Sequence, residues 1–397
     1  MSADDLDQIL DGAVNAQALR ESGWEKLGFV RNPFPSRAHP IWEVFHNQVA
    51  VRDRFKRDLA EVVRDGPTLT LFFTGGNRVG KTHFMQFHRG ELTRWSRERG
   101  VAMPIALVSA QSGDFGQLYR QLIEQIDESL RVQVGAGLFE RPTPLSVVER
   151  VAELPPGDLR RALEKIALSD EKDDDEARLL LRKWLRGERL RATERSRLGV
   201  SGLVDSIAQM LSALEALVGF LRLHVNIEEG SVPCTGLIIF IDEFELVWRC
   251  RRDRRDQFLQ SLRAFVDGCP RGVLLCVGMA TGLGVGINDV QSSYPALFAR
   301  LKGAQDIPTL VEIGGVVEAI EYARAFEHHG HKVFRQDLKE RSDGSMSIKP
   351  RSAPHEPLFT NREIEAFFRS VPGALSGSVT QGDFFDRLHV EAEKLIR

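Results

Sequence analysis

The sequence predicts an α/β fold in which helices cover both faces of a parallel β-sheet. Four continuous apolar runs have the composition of fully buried parallel strands. They occupy residues 69–73, 101–108, 237–241 and 272–279. Stretches with helical spacing separate these runs, and the first run leads into a glycine-rich turn, as a strand does before a helix in such a sheet. We therefore expect a three-layer core with further helices attached to it.

The first predicted elements precede the sheet. Residues 1–27 form a polar leader, and the prolines of residues 28–35 favour a rigid extended segment. A helix is expected over residues 41–64, because apolar side chains recur there at roughly helical spacing. Asp65-Gly66-Pro67 ends that pattern just before the first strand.

The first strand leads into a turn with the spacing of a phosphate-binding loop. Its sequence is Gly75-Gly76-Asn77-Arg78-Val79-Gly80-Lys81-Thr82. Glycines let backbone amides curl around phosphates, and the positive end of the next helix, expected over residues 81–99, adds to the attraction. Lys81 should contact the β and γ phosphates, and Thr82 should ligate Mg²⁺. We therefore expect these residues and the adjoining His83 to bind a nucleoside triphosphate.

The strand at residues 237–241 ends in two carboxylates, Asp242 and Glu243. Asp242 should lie beside Thr82 at the carboxyl edge of the sheet, where it would hold Mg²⁺ or a water bound to it. Glu243 is placed to polarise a water molecule for attack on the γ-phosphate, which favours hydrolysis over phosphoryl transfer to a metabolite. The alternative is that the two acids end a strand or cap a helix without further function.

A long helical insertion separates the two nucleotide motifs. Lys81 and Asp242 lie 161 residues apart (242 − 81), far more than the roughly 30 residues of a strand-helix-strand unit. The insertion covers residues 132–232, and we predict that its acidic run at 170–176 is a solvated loop whose last acids favour the N-terminus of the next helix. The core then occupies residues 28–131 and 233–310, including a helix near 253–267. Residues 311–397 form a helical lid domain, with helical stretches at 311–330 and 358–396.

Composition excludes several other classes of protein. The formal net charge of −3 gives no support to nucleic-acid binding over the whole surface, so any basic surface must be local. The four cysteines lack Cys-x-x-Cys spacing and the chain begins with an acidic segment, from which we predict a cytoplasmic location. The longest apolar stretch, residues 203–225, is interrupted by charged residues, so we predict a buried or interfacial helix and no membrane partner. The histidines at 328–331 lack matching ligands for a metal site.

At this point the chain resembles the AAA+ superfamily, in particular the origin-recognition-complex-type ATPases and their bacterial relatives in transposition, secretion and phage defence. The resemblance rests on the phosphate loop, Asp242-Glu243, the strand that ends near Thr281, and the segments at 32–34 and 294–301. It implies that Asn32 and Phe34 contact the adenine. It also implies that a polar residue after the fourth strand senses the γ-phosphate; Thr281 is our candidate, with Ser109 and Asn288 as alternatives.

Arg300 precedes the predicted lid, where the resemblance implies an arginine that reaches a neighbouring subunit's nucleotide. A guanidinium suits the stabilisation of charge on γ-phosphoryl oxygens. The alternative is an arginine that binds helix carbonyls or a surface acid. The pattern departs from the family in the lid, where Thr380-Gln381-Gly382-Asp383 occupies the place of the usual lid arginine. Arg369 and Arg387 are poor substitutes, which puts lid-coupled hydrolysis in doubt.

Two basic tracts are candidates for contact with nucleic acid. One follows the Asp-Glu strand immediately and contains Arg251, Arg252, Arg254 and Arg255. In a ring of such subunits, loops on that side of the sheet line the central channel, where arginines could bind phosphates. The other tract is residues 182–197. Each tract could equally be a solvated face or a protein contact.

We interpret the sequence as an ATP-binding and ATP-hydrolysing AAA+ switch or motor that requires ATP and Mg²⁺. It would form homo-oligomers and act on or with DNA, together with partner proteins of a transposition or phage-defence system. The alternative is a scaffold that binds nucleotide with little turnover and docks a partner protein through its insertion. Small-molecule kinase activity is a third, weaker alternative, because no acceptor pocket is visible in the sequence.

Overall fold

The structure is a computed structural model that describes residues 23–36, 40–64, 66–140, 150–167, 171–223, 234–269, 271–282, 284–302, 306–343, 357–374 and 379–396. The chain divides into two compact units. The sheet unit contains residues 48–77 and 81–310. The helical unit contains the described residues of 1–47, residues 78–80, and the described residues of 311–397. The predicted separation of the insertion from the core as a domain of its own stays a prediction.

Five strands of the described chain form one parallel sheet, which confirms the predicted α/β class. The strands are β1 (Leu69–Gly75), β2 (Ile105–Ser109), β3 (Leu237–Asp242), β4 (Val273–Ala280) and β5 (Thr309–Leu310), in the order β2-β3-β4-β1-β5. β4 therefore lies between the strand that precedes the phosphate loop and the strand that ends in Asp242. It pairs with both, with Gly75 opposite Ala280 and Ile241 opposite Val277.

Helices cover both faces of this sheet. On one face, α1 (Val49–Val63) and α2 (Lys81–Arg99) pack through aromatic rings. The ring centroids of Phe73 and Phe84 are 5.1 Å apart, and those of Phe55 and Phe240 are 6.0 Å apart. On the other face lie α3 (Phe115–Val134), α8 (Arg252–Gly268), α9 (Ile287–Ser293) and α10 (Pro295–Lys302), whose apolar side chains join one large hydrophobic cluster with β2, β3 and β4.

Gly278 of β4 permits the close approach of α2 to the sheet. A Cβ atom at this position would lie 2.6 Å from Cε of Met85 and 3.1 Å from Cζ of Phe73. Contacts at these distances require neighbouring side chains to move, which costs packing energy in a dense core. Since α2 begins at the phosphate loop, the close packing that Gly278 permits helps to determine the position of the end of that loop relative to the sheet.

The described residues between α3 and β3 are mainly helical, as predicted. It contains α4 (Asp158–Ala167), α5 (Glu171–Leu185), α6 (Ala192–Leu198) and α7 (Ile207–Leu223), after a short 3₁₀ helix at Val151–Glu153. Their buried side chains belong to the same hydrophobic cluster as the sheet. The predicted loop at 170–176 is wrong for residues 171–176, because α5 already begins at Glu171, and residue 170 lies outside the described residues. Acidic side chains near a helix N-terminus are favourable, so the acidic run starts the helix.

Helix α7 covers most of the apolar stretch that we expected to be buried or interfacial. Its buried residues include Leu214, Leu217 and Leu221. Among the described helices, none combines the length and the hydrophobicity that a bilayer-spanning segment requires.

Helix boundaries in the sheet unit follow the sequence predictions closely, with one exception. α2 has the predicted bounds, and α8 exceeds its predicted range by one residue at each end. The helix predicted over 41–64 begins only at Val49. Its start is delayed because Asn47 and Gln48 both adopt left-handed backbone conformations, with φ of 57° and 59°, which cannot continue a right-handed helix.

The helical unit contains α11 (Val316–Asp343), α12 (Asn361–Ser370) and α13 (Gln381–Lys394). Thr360 and Thr380 cap the second and third of these helices through their side-chain oxygens. A second hydrophobic cluster, which includes Phe29, Phe326 and Phe384, forms the core of this unit. His331 contacts the ring of Phe29 and the carbonyl of Gly28, and the described residues contain no cluster of three metal-binding side chains.

Candidate functional site

The phosphate loop connects the end of β1 to the start of α2, as the sequence predicts. Gly80 has a φ of 98°, a conformation that favours glycine, and Lys81 is the first residue of the helix. The ammonium group of Lys81 donates hydrogen bonds to the carbonyl oxygens of Gly75 (3.2 Å) and Gly76 (2.6 Å). Lys81 is therefore already directed along the loop in which we expect phosphates to bind.

Two nearby carboxylates compensate the burial of Lys81. Its side chain is 9 % exposed, and burial lowers the pKa of the ammonium group, while the negative charges of Glu245 and Asp242 act to raise that pKa. A protonated lysine is the form that binds phosphate oxygens. The two acids thus support the charge state that nucleotide binding requires.

Thr82 and Asp242 meet at the carboxyl edge of the sheet. The hydroxyl of Thr82 donates a hydrogen bond of 2.5 Å to Oδ2 of Asp242, and Oδ1 of Asp242 accepts the backbone N–H of Glu243 at 2.9 Å. Burial raises the pKa of Asp242, and the hydrogen bond from Thr82 opposes this effect. A hydroxyl and a carboxylate are oxygen ligands of the kind that Mg²⁺ takes, so this pair fits the ion.

Glu243 occupies a strained position directly after β3. Its φ of 57° lies in the left-handed region, which costs a non-glycine residue about 1–2 kcal/mol. The side chain is exposed, and its Oε2 accepts a hydrogen bond of 2.8 Å from the hydroxyl of Ser109. Ser109 is in register with Asp242 on the neighbouring strand β2. Strained residues cluster at functional sites, and this one presents a carboxylate to water beside the phosphate loop.

Glu245 is a third carboxylate of the site, and the sequence analysis did not select it. It is 7 % exposed and lies on the 3₁₀ helix Phe244–Arg249, and its Oε2 accepts the backbone N–H of Ala280 at 2.8 Å. The feature of the sequence that could have identified Glu245 is its position as an acidic residue between the apolar residues Phe244 and Val247, shortly after the Asp-Glu pair. Charged residues in an apolar segment are rarely buried without a specific partner.

Thr281 follows β4 and belongs to the same edge of the sheet. Its backbone N–H donates to the carbonyl of Gly75 at 3.0 Å, so the residue is tied to the beginning of the phosphate loop. Of the two alternatives, Ser109 binds Glu243, and Asn288 is exposed on α9. The role of Thr281 as a γ-phosphate sensor stays a prediction.

Arg300 lies near the other end of β1. The hydroxyl of Thr70 donates hydrogen bonds to the carbonyl of Arg300 and, at 3.2 Å, to that of Leu301. Thr70 and Gly75 are separated by about 16 Å of extended strand. The guanidinium of Arg300 donates to Asp267 at 2.7 Å, so the structure does not bring it to the phosphate loop of its own chain. Any contact with nucleotide would be made to a neighbouring copy.

The remaining predicted nucleotide contacts differ in exposure. Asn77 is exposed, His83 is half-buried, and Val79 is fully buried. In the helical unit, Arg78 adopts a φ of 63°, and its guanidinium forms ion pairs with Asp383 and Asp386.

Asn32 and Phe34, the predicted adenine contacts, have structural partners in the helical unit. The amide of Asn32 donates to the carbonyl of His389 (3.1 Å) and to Glu393 (3.0 Å). Phe34 is fully buried and stacks on Phe359. Their side chains thus have a packing role, and their contact with adenine stays a prediction.

The lid arginine of the AAA+ superfamily has no clear counterpart at the lid positions that we considered in the sequence. Thr380 caps α13, so Gln381, Gly382 and Asp383 do form the first turn of a helix, as the register predicts. Arg369 pairs with Glu365 at 2.7 Å, and Arg387 pairs with Glu391 at 3.0 Å. Both arginines therefore neutralise acids of their own helices.

The basic tract after β3 follows the 3₁₀ helix that carries Glu245. Arg251, Arg252 and Arg254 are exposed, whereas Arg255 is half-buried and contacts Asp256 at 3.2 Å. In the second tract, residues 182–197, Trp184 is buried and donates its indole N–H to the carbonyl of Gly202. This tryptophan is part of the core and is not a stacking surface for bases.

Comparison with known proteins identifies the family of the chain. No curated protein matches the chain. The family model described as BREX system ATP-binding protein BrxC/D matches residues 109–308, just over half of the 397 residues. The matched segment begins at Ser109 and includes Asp242, Glu243 and Glu245. It confirms the resemblance to phage-defence ATPases, and the chain belongs to the family of BREX system ATP-binding proteins BrxC/D.

Proposed function

We propose that this protein hydrolyses ATP as a switch in a BREX phage-defence system. The observation that carries the proposal is the convergence of Thr82, Asp242 and the exposed Glu243 at one edge of the sheet. A protein that only binds nucleotide needs the phosphate loop and a metal ligand. An additional carboxylate that is open to water, held by Ser109 in a strained conformation, supports a hydrolytic role.

In the proposed mechanism, the amides of the phosphate loop and the ammonium group of Lys81 bind the β and γ phosphates. Thr82 and Asp242 hold Mg²⁺, which when bound neutralises phosphate charge and orients the phosphate oxygens. Glu243 accepts a proton from the attacking water. Thr281 contacts the γ-phosphate, and its tie to Gly75 keeps it close to the loop.

We further propose that the active form is an assembly of several copies. The support is the position of Arg300, which lies near the amino end of β1 and is 40 % exposed while it pairs with Asp267. It can stabilise charge on γ-phosphoryl oxygens only in another subunit's site. The ion pair with Asp267 would then hold its guanidinium until a neighbour docks.

Duplex DNA is the client that we propose for the basic tract of Arg251, Arg252, Arg254 and Arg255. Along the chain, the 3₁₀ helix Phe244–Arg249 and Cys250 join Glu243 to this tract. A change in the nucleotide can therefore reach phosphate-binding side chains over a few residues. Phosphate contacts of this kind give sequence-independent affinity that falls with salt.

Measurement of phosphate release from ATP, with and without duplex DNA, tests the proposal. The wild-type chain should release phosphate in the presence of Mg²⁺, and the Lys81→Ala variant should not. A wild-type chain that binds ATP but releases no phosphate under either condition would refute the enzymatic proposal and favour the alternative below.

The alternative function is a nucleotide-stabilised scaffold that docks a partner protein. It is favoured by the lid, in which Arg369 and Arg387 are paired with acids of their own helices. A scaffold predicts a large increase in melting temperature on ATP binding without turnover.

A further inference from the structure

We propose that Glu245 is a positioning residue that holds the end of β4, and with it Thr281, at the nucleotide site. The inference rests on the proposed ATPase function and extends it to a residue outside the expected motifs. Three observations support it: the hydrogen-bonding pattern at the end of the sheet, the burial of the carboxylate, and its placement beside Lys81 and Asp242.

The hydrogen-bonding pattern shows why a side chain is needed here. β3 pairs with β4 up to Ile241 and Val277, and then turns away at the left-handed Glu243. β4 continues to Ala280, because on its other side β1 pairs with it as far as Gly75. In a parallel sheet, successive N–H groups of one strand point to opposite neighbours. The last N–H of β4 on the β3 side would therefore lack a partner strand.

Glu245 supplies that missing acceptor. The N–H of Thr281 points toward β1 and donates to the carbonyl of Gly75. The N–H of Ala280 points the opposite way and donates to Oε2 of Glu245 at 2.8 Å. Two successive backbone amides at the end of β4 are thus bound by two different parts of the site. The phosphate loop binds one through Gly75, and the segment after the Asp-Glu pair binds the other through Glu245. Together these bonds fix the backbone from which the Thr281 side chain projects.

The electrostatic setting explains how a carboxylate can be buried at this position. Glu245 is 7 % exposed, and burial of a charge is costly unless it is paired. It lies close enough to interact with the ammonium group of Lys81 and the carboxylate of Asp242. A neutral acceptor would satisfy Ala280 at lower cost. The ammonium group of Lys81 is near enough to compensate the charge of Glu245, which places this residue beside the phosphate-binding cation.

Two substitutions of Glu245 distinguish the effect of side-chain length from the effect of charge. Glu245→Gln keeps an acceptor oxygen at the same reach and removes the charge. Glu245→Asp keeps the charge and shortens the side chain by about 1.5 Å, the length of one C–C bond, so that it no longer reaches the N–H of Ala280. If position is what matters, Glu245→Gln retains more of kcat than Glu245→Asp, which should lose about tenfold or more. Glu124→Gln, at an exposed site on α3, is the control for handling and purity.

Thr281→Ala completes a double-mutant cycle. If Glu245 acts through Thr281, the variant that carries both Glu245→Asp and Thr281→Ala has no lower kcat than the worse single variant. If Glu245 is merely structural, the two effects multiply, and the KM for ATP rises in parallel with a fall in melting temperature. Equal kcat values for Glu245→Asp and the wild type, or a higher kcat for Glu245→Asp than for Glu245→Gln, would overturn the inference.

A binding measurement keeps the inference testable if the proposed hydrolysis fails. Fluorescent analogues of ATPγS and ADP give an affinity ratio that reports recognition of the γ-phosphate without turnover. Glu245→Asp should reduce this ratio toward that of Thr281→Ala, whereas Glu245→Gln should leave it closer to the wild-type value. A wild-type protein without turnover but with this pattern refutes the ATPase proposal and supports the positioning role. An unchanged ratio in Glu245→Asp refutes the positioning role.

Discussion

The hydroxyl of Thr82 donates a 2.5 Å hydrogen bond to Oδ2 of Asp242, and this single contact joins residues that lie on either side of the long insertion in the sequence. The two residues are 160 positions apart in the sequence, yet together they form one site. Thr82 is the second residue of α2, and Asp242 is the last residue of β3. The start of α2 therefore lies next to the end of β3.

Asp242→Asn should abolish most of the dependence of ATP binding on Mg²⁺. The amide can still accept the hydrogen bond from Thr82, but it lacks the charge that favours a divalent cation. We expect the affinity for ATP in Mg²⁺ to fall about tenfold or more, while the affinity in EDTA changes little. Calorimetric titration with and without Mg²⁺ measures this. Asp253→Asn, an exposed acid of the next helix, is the control; loss of Mg²⁺ dependence in that variant would contradict the assignment.

Substitutions of Glu243 should reveal its strained backbone. Glu243→Ala and Glu243→Gly both remove the carboxylate and its bond to Ser109, so both should lose turnover. They differ in the left-handed conformation, which glycine adopts without penalty. The glycine variant should be more stable than the alanine variant by about 1 kcal/mol. Denaturant titration of the two proteins provides the comparison, and an alanine variant of equal or greater stability would count against strain at this position.

Gly278→Ala should destabilise the sheet unit. The added methyl group meets Cε of Met85 and the ring of Phe73, and overpacking of this kind costs about 1–3 kcal/mol. Gly90→Ala is a matched control in the adjoining helix α2, where a Cβ meets no atom within 4 Å. That second substitution should stabilise the protein by about 0.5–1 kcal/mol, since glycine is unfavourable in a helix interior. Melting temperatures that move in the same direction would contradict this account.

Stability should decline as pH falls from about 7 toward 5, partly through His88. Burial among Phe55, Phe84 and Phe87 lowers the pKa of this imidazole to about 3. The unfolded chain binds a proton near pH 6.5, whereas the folded chain does not, so acid favours unfolding in the window between these values. His88→Leu should reduce the slope of unfolding free energy against pH by up to about 1.3 kcal/mol per unit near pH 5.

The exposed His328 provides the comparison for that measurement. His328→Leu is the control for the replacement of a histidine by leucine at an exposed position. An identical slope in the wild type and in His88→Leu would show that the buried imidazole does not contribute to acid sensitivity.

Mixed assemblies should test Arg300 as a residue that acts on a neighbour. Arg300→Ala and Lys81→Ala chains should each lose turnover alone and regain part of it when mixed, because some interfaces then combine an intact loop with an intact arginine. Arg263→Ala is the matched control: Arg263 also contacts Asp267 and is equally exposed at 40 %. It should retain wild-type turnover. Absence of rescue in the mixture would remove Arg300 from the proposed mechanism.

Four of the five described strands and the nucleotide motifs were located from the sequence, because both depend on local patterns, whereas the two-residue strand β5 was not predicted. The phosphate loop is recognisable from glycine spacing, and a buried strand that ends in Asp242 and Glu243 is recognisable from continuous hydrophobicity. The edge of a parallel sheet gathers such strand ends, so the meeting of Thr82 with Asp242 followed from the fold class.

Contacts that depend on three-dimensional position were not predictable in the same way. Glu245 lies in a segment that looks like an ordinary turn, and its partner is a backbone amide of Ala280, which no sequence pattern marks. Ser109 was considered as a phosphate sensor, yet its hydroxyl binds Glu243 because β2 and β3 are in register at their ends. The late start of α1 depends on two left-handed residues, neither of which is a glycine.

The central location of β4 determines how the two nucleotide motifs can communicate. Since β4 separates β1 from β3, no ladder of main-chain bonds joins the motif strands directly. They are connected through side chains and through one shared neighbouring strand. Side-chain links can be altered by single substitutions without unfolding the sheet, so related chains can evolve different nucleotide responses on the same scaffold.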